Sequence, residues 1–110
     1  DDPGPELLYG AWLEASKDLD GAAKHYESLT TRYATINGPY ARRVVVAQVQ
    51  NKPGEALQWA LKWLEKFPND PAAALQLIQV QAANGDLAEA VKKADEFVAR
   101  QLEASETQLK

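Results

Sequence analysis

The segment Pro53-Gly54-Glu55-Ala56-Leu57 indicates a repeat fold, because related segments lie at one fixed interval before and after it. Leu19-Asp20-Gly21-Ala22-Ala23 precedes it and Leu87-Ala88-Glu89-Ala90-Val91 follows it, so the alanine in the fourth place recurs every 34 residues. A period between about 20 and 50 residues is typical of repeat proteins. Three such periods nearly fill the 110-residue chain, and we expect one domain of three units.

Each period contains two segments whose apolar residues follow the three- and four-residue spacing of a helix. The sequence therefore predicts six helices, paired into repeats over residues 5–36, 39–70 and 71–104, with a frayed tail over residues 105–110. Among the separating turns, Asp18 and Asn51 are expected to cap the helices that follow them. Asn37 and Gly38 are expected to end the second helix, since both tolerate positive φ.

The third segment, Tyr40 to Gln50, contains the β-branched run Val44-Val45-Val46, which by itself favours a strand. The corresponding segments of the other two units are rich in leucine and alanine. The repeat register therefore predicts a helix here as well.

Paired helices with a 34-residue period resemble the tetratricopeptide repeat family, and the resemblance covers nearly the whole chain. The small residue of that family's second helix corresponds to Ala22, Ala56 and Ala90, and the large residue seven positions later to Leu29, Trp63 and Phe97. Gly10 fits the small residue of the first helix, and Pro68 closes the middle unit only. The family's early tryptophan is absent. The resemblance implies an all-α, right-handed α-solenoid of three antiparallel helix hairpins.

The two ends of the chain lead to different expectations. The last helix has one apolar stripe through Val91 and Val98 opposite charged residues, which suits a terminal cap. The first helix is apolar over most of its circumference, including Leu8 and Trp12. Either these two residues contact an upstream repeat or a second copy of the chain, giving a homo-oligomer, or they are covered within the first two repeats.

In the tetratricopeptide family the first helices line a concave groove that holds a peptide or partner protein. The resemblance places the following residues in that groove: Arg42, Val45, Gln48, Val49, Leu75, Gln76 and Gln79. Alternatively, Val45, Val49 and Leu75 are ordinary packing between helices. Arg42 alone matches the basic cluster with which some members bind chaperone tails, so we do not expect such an adaptor.

The composition excludes several other classes of function. A net charge of −4 argues against nucleic-acid binding, and no apolar stretch is long enough to span a membrane. The chain contains no cysteine and one histidine, His25, which we expect on the surface, so no metal or other cofactor is expected. Glu6 and Glu14 are expected to face solvent, and no sheltered pair of carboxylates suggests an enzyme.

The sequence thus predicts a non-enzymatic module for protein–protein interaction, acting as a scaffold or adaptor. Two alternatives stay open: a structural segment of a longer solenoid or homo-oligomer, and an accessory subunit of an enzyme complex. The order of segments is similar to that of multi-repeat proteins of the bacterial envelope, which favours the periplasm or envelope over the cytoplasm.

Overall fold

Six α-helices joined by short turns make up the computed structural model. It describes the backbone of residues 2–109 and the side chains of residues 2–104, and no strand occurs in that range. The helices are α1 (Gly4–Ala15), α2 (Leu19–Arg32), α3 (Asn37–Val49), α4 (Pro53–Lys66), α5 (Pro71–Ala83) and α6 (Leu87–Leu109). The predicted all-α class with six helices is confirmed.

Consecutive helices are antiparallel, as hydrogen bonds between their ends show. At the far end of α2, Arg32 donates to Glu6 near the start of α1, with 2.6 Å between Nη1 and Oε2. Just after α3, Gln50 donates to Asp20 near the start of α2 over 2.7 Å. The odd-numbered helices therefore run in one direction and form one layer, in which α1 contacts α3 more closely than α2 contacts α4.

The molecule is a flat stack, with extents of 48 × 37 × 18 Å. Its short dimension corresponds to two helix layers, since one helix with its side chains is about 10 Å across. The radius of gyration is 15.3 Å, whereas a compact domain of this length would have about 13 Å. The hairpins are thus arranged side by side along the long dimension.

The core lies where the 34-residue period places small residues. Ala22, Ala56 and Ala90 are all buried, and each allows its helix to approach the partner helix closely. Gly10 of α1 is buried against the ring of Tyr26, and a Cβ at this glycine would overlap with that ring. The predicted small-residue positions are therefore contact points between paired helices.

The three turns inside the hairpins share one backbone conformation. Lys17, Asn51 and Gly85 lie one period apart and have φ angles of 68°, 58° and 83°. This left-handed conformation suits glycine and asparagine but strains lysine. The expectation that Asn51 caps α4 is wrong, because Asn51 turns the chain and Lys52 precedes α4 without a side-chain cap. Asp18 does cap α2, accepting from the Gly21 amide over 2.9 Å.

Two other helix boundaries differ from the predictions, and the structure shows which conformation the ambiguous third segment adopts. Asn37 and Gly38 form the first turn of α3 with negative φ instead of ending α2, and the Asn37 side chain accepts from the Trp63 indole N–H. α6 continues to Leu109, beyond the end of the third predicted repeat at residue 104; residue 110 lies outside the described residues. The helix predicted around Val44-Val45-Val46 is confirmed. Val44 and Val46 are buried between helices, and this packing outweighs the strand preference of the valines.

Both ends of the stack expose apolar side chains. Leu8 and Trp12 of α1 are more than half exposed, so the alternative that they are covered within the first two repeats is wrong. On α6, Val91, Val98 and Leu102 are also more than half exposed. A cap needs a polar outer face. The prediction that α6 caps the stack is therefore wrong for the face that contains Val91, Val98 and Leu102.

We predict that Lys17→Gly stabilises the protein by about 1 kcal/mol, because glycine adopts positive φ without steric cost. The free energy of unfolding in urea measures the effect. Lys24→Gly is the matched control, because Lys24 is exposed in the interior of α2. Glycine is unfavourable within a helix, so this change should destabilise the protein by about 1 kcal/mol. Equal effects of the two changes would contradict strain at Lys17.

We also predict that Gly10→Ala destabilises the protein by about 1–3 kcal/mol, because the new methyl group meets the Tyr26 ring. Helix propensity alone would give the opposite sign. Gly54→Ala serves as the control, since no atom lies within 4 Å of a Cβ at that position. A gain in stability for both variants in urea unfolding would refute the close approach at Gly10.

Candidate functional site

The residues predicted to form the groove lie on two parallel helices, α3 and α5. Four of them are on α3 and three on α5: Arg42, Val45, Gln48, Val49, Leu75, Gln76 and Gln79. Val49 and Leu75 are more than half exposed, so packing between helices does not account for them. Val45 and Gln76 are partly buried, and Gln48 and Gln79 are exposed. We call these residues other than Arg42 the α3–α5 surface.

The period fixes the relative levels of these side chains along the helices. Because α3 and α5 run in the same direction, residues one period apart, such as Val45 and Gln79, lie at the same level. Leu75 is level with residue 41, and Val49 lies eight residues further along. At 1.5 Å per residue, the two apolar side chains are about 12 Å apart along the helix direction. The glutamines lie between or beside them.

Arg42 is held by a carboxylate on the neighbouring first helix. Its Nη2 donates to Oε1 of Glu14 over 2.6 Å, and the Tyr26 hydroxyl donates to Oε2 of the same carboxylate over 2.6 Å. Burial would lower the pKa of Arg42, but Glu14 raises it above its ordinary value. Arg42 therefore remains a cation whose charge is already balanced, which weakens its predicted role in binding a partner.

Glu14 was expected to face solvent, and that expectation is wrong. Its side chain is only 16% exposed, because the carboxylate lies between Tyr26 and Arg42. Burial raises the pKa of Tyr26 to about 12, and the hydrogen bond and negative charge of Glu14 act in the same direction. No local spacing in the sequence reveals this cluster, because its members belong to three different helices.

His25 lies partly within the first hairpin. Its Nε2 is 2.7 Å from the carbonyl oxygen of Glu6, and its ring forms a T-shaped pair with the Tyr9 ring. Expecting a plain surface residue was therefore only partly right. Within the described side chains, no group of three His, Cys, Asp or Glu could hold a metal ion together.

Two open clefts accompany the predicted surface. A cleft of about 620 Å³ opens where α3 ends and α4 begins; Gln48 lines it together with Lys52 and Asn84. Another of about 520 Å³ lies between α2 and α4, beside Trp59 and Lys62. Only Gln48 connects the predicted groove with the larger cleft. The sequence did not predict either cleft, because their shape depends on how the hairpins are inclined to one another.

We predict that the stability of the protein falls between about pH 10 and 12 and that Tyr26→Phe weakens this fall. In the unfolded chain a tyrosine loses its proton near its ordinary pKa of about 10, whereas folded Tyr26 keeps it up to about 12. The stabilising contribution is thus complete below pH 10 and is lost as pH rises through 12. Urea unfolding at stepped pH measures it.

The pH range below the unfolded pKa of tyrosine serves as the control for this prediction. Between about pH 7 and 9 the pH dependence of wild type and Tyr26→Phe should coincide, because the unfolded pKa of tyrosine lies above that range. Identical slopes above pH 10 would show that Tyr26 does not retain its proton in the folded state.

No helix within the described residues is long and apolar enough to cross a membrane. No protein-family model matches the chain, and no curated protein matches its sequence.

Proposed function

We propose that the chain is a tetratricopeptide-like, right-handed stack that serves as a non-enzymatic module for protein–protein interaction. Its ligand is an extended segment of a partner protein, bound on the α3–α5 surface. One observation carries the proposal: two parallel first helices expose an apolar side chain each, Val49 and Leu75, with glutamines alongside.

The spacing of the apolar side chains suits an extended ligand. A strand-like segment rises about 3.3 Å per residue, and alternate side chains point to the same side. Two ligand side chains four residues apart are therefore separated by about 13 Å. This is close to the component of the Leu75–Val49 separation along the helices, about 12 Å, so a ligand that runs along the helices between α3 and α5 places one apolar side chain on each of them.

The glutamines supply the polar part of recognition. A carboxamide both donates and accepts hydrogen bonds, as a peptide backbone does. Gln79 is exposed on α5 at the level between the two apolar contacts, and Gln48 is exposed next to Val49. Amide side chains at these places favour a neutral backbone over a strongly charged ligand. The balanced charge of Arg42 supports the same preference.

Both helices of the site are fixed before a ligand binds. Val44 and Val46 of α3 and Leu77 and Val80 of α5 are buried in the core, so the backbone that presents the surface is held from behind. A preformed surface loses less conformational entropy on binding than a flexible one. This is the physical advantage of presenting the ligand contacts on packed helices.

A peptide library tests the proposal. We predict that segments selected on the wild-type protein share two apolar residues four positions apart. The double variant Val49→Asp/Leu75→Asp should bind them at least about tenfold more weakly, because an aspartate would have to be buried unpaired under the ligand. Isothermal titration with the selected peptides measures the affinities.

Leu87→Asp is the matched control, since Leu87 is an exposed leucine at the start of α6 in the other layer. This variant should keep the wild-type affinity, and circular dichroism should show that all variants remain helical. Selection of no peptides, or equal binding by the double variant, would refute binding at the α3–α5 surface.

A further inference from the structure

The exposed face at the start of the stack is one that the other hairpins bury. In α3, Arg43 and Val46 are at most 2% exposed, and the same holds for Leu77 and Val80 at the corresponding positions of α5. Val46 packs into the core cluster of α1 and α2, and Leu77 and Val80 pack into the cluster of α3 and α4. These positions therefore contact the preceding hairpin.

In α1 the same two positions hold Tyr9 and Trp12, which are 49% and 59% exposed. Their rings are stacked on each other, with centroids 5.8 Å apart. We call this pair the α1 outer face. It has the position of a surface that receives a preceding hairpin, and it carries large aromatic side chains where the inner units have Arg43, Val46, Leu77 and Val80.

The exposed face at the other end is the matching half of the same interface. Ala23 and Thr30 of α2 are buried, and Leu57 and Leu64 at the corresponding positions of α4 are partly buried against the cluster that contains Leu77 and Val80. In α6 these positions hold Val91 and Val98, which are 53% and 56% exposed. We call this pair the α6 outer face.

The polar residues of the two faces are also complementary. At the junction between the first and second hairpins, Arg43 donates to Glu27 with 2.8 Å between Nε and Oε2. One period later both positions are leucine, Leu61 and Leu77. Across the two ends of the chain, the same positions hold Asp95 and Tyr9, a carboxylate acceptor and a hydroxyl donor.

We propose that copies of this chain associate end to end, with the α1 outer face of one copy on the α6 outer face of the next. The contact repeats the packing that already joins hairpins within the chain, so the order of helices continues across the junction. A second copy is the occupant because each copy provides both complementary halves. The two faces differ, so the interface is heterologous and each added copy leaves one free face at either end.

Sedimentation velocity over a range from micromolar to millimolar protein tests the proposal. The wild-type chain should form a concentration-dependent series of oligomers. Trp12→Asp and Val98→Asp should each weaken association at least about tenfold, because either change places an unpaired charge in the interface. Both side chains are more than half exposed, so circular dichroism should show unchanged helix content.

Mixing the two variants is the decisive measurement. Trp12→Asp retains an intact α6 outer face, and Val98→Asp retains an intact α1 outer face, so the mixture should form a one-to-one dimer that grows no further. Leu75→Asp, a change on the α3–α5 surface, should associate like wild type, which separates this proposal from peptide binding.

Three results would overturn the end-to-end contact. The first is a wild-type chain that stays monomeric at every concentration. The second is dimerisation of Val98→Asp by itself, which would indicate a symmetric contact between two α1 helices. The third is a mixture of the variants that remains monomeric, which would leave these faces to a different protein.

Discussion

The stack depends on burial between neighbouring hairpins, because each of its core clusters contains buried side chains from two adjacent hairpins. The first cluster includes Val46 of the second hairpin, and the second cluster includes Leu77 and Val80 of the third. Repeat proteins of this kind obtain much of their stability from contacts between nearest neighbours. The same constraint explains why apolar side chains are left uncovered at both ends.

The adjacent residues Arg42 and Arg43 show how the two sides of one helix are used. Arg43 is buried and pairs with both Glu27 and Glu55. It therefore holds a carboxylate of α2 and a carboxylate of α4 together. The hydrogen bond from Arg43 lowers the pKa of Glu55. Arg42 is exposed and pairs with Glu14 of α1. Both of these arginines are thus engaged in joining helices.

Much of the fold could be predicted from one period, because that period records where helices must approach closely. It placed Ala22, Ala56 and Ala90 correctly and overruled the strand preference of Val44-Val45-Val46. It could not determine turn conformation. Asn51 has the residue type of a cap but lies at the position where the backbone must be left-handed, as its equivalents Lys17 and Gly85 also do.

For the candidate site, the sequence left open whether Val49 and Leu75 are exposed or packed between helices, and it did not indicate the environment of Arg42. Glu14 and Arg42 are 28 residues apart, and their contact depends on the direct approach of α1 to α3. Contacts of this kind leave no periodic signal in a single sequence. The clefts were missed for the same reason, because they arise from the inclination of whole hairpins.

The distribution of tryptophan has a consequence for spectroscopy. Trp12 is exposed in the first hairpin, Trp59 lies under the Lys62 ammonium group, with 4.3 Å from Nζ to the ring centroid, and Trp63 is buried; the third hairpin has none. Intrinsic fluorescence therefore reports on the first two hairpins and, through the packing of Trp63 against Ala73, on α5, whereas α6 contains no tryptophan. Circular dichroism records all six helices, so a transition seen by circular dichroism and not by fluorescence would indicate local melting of α6.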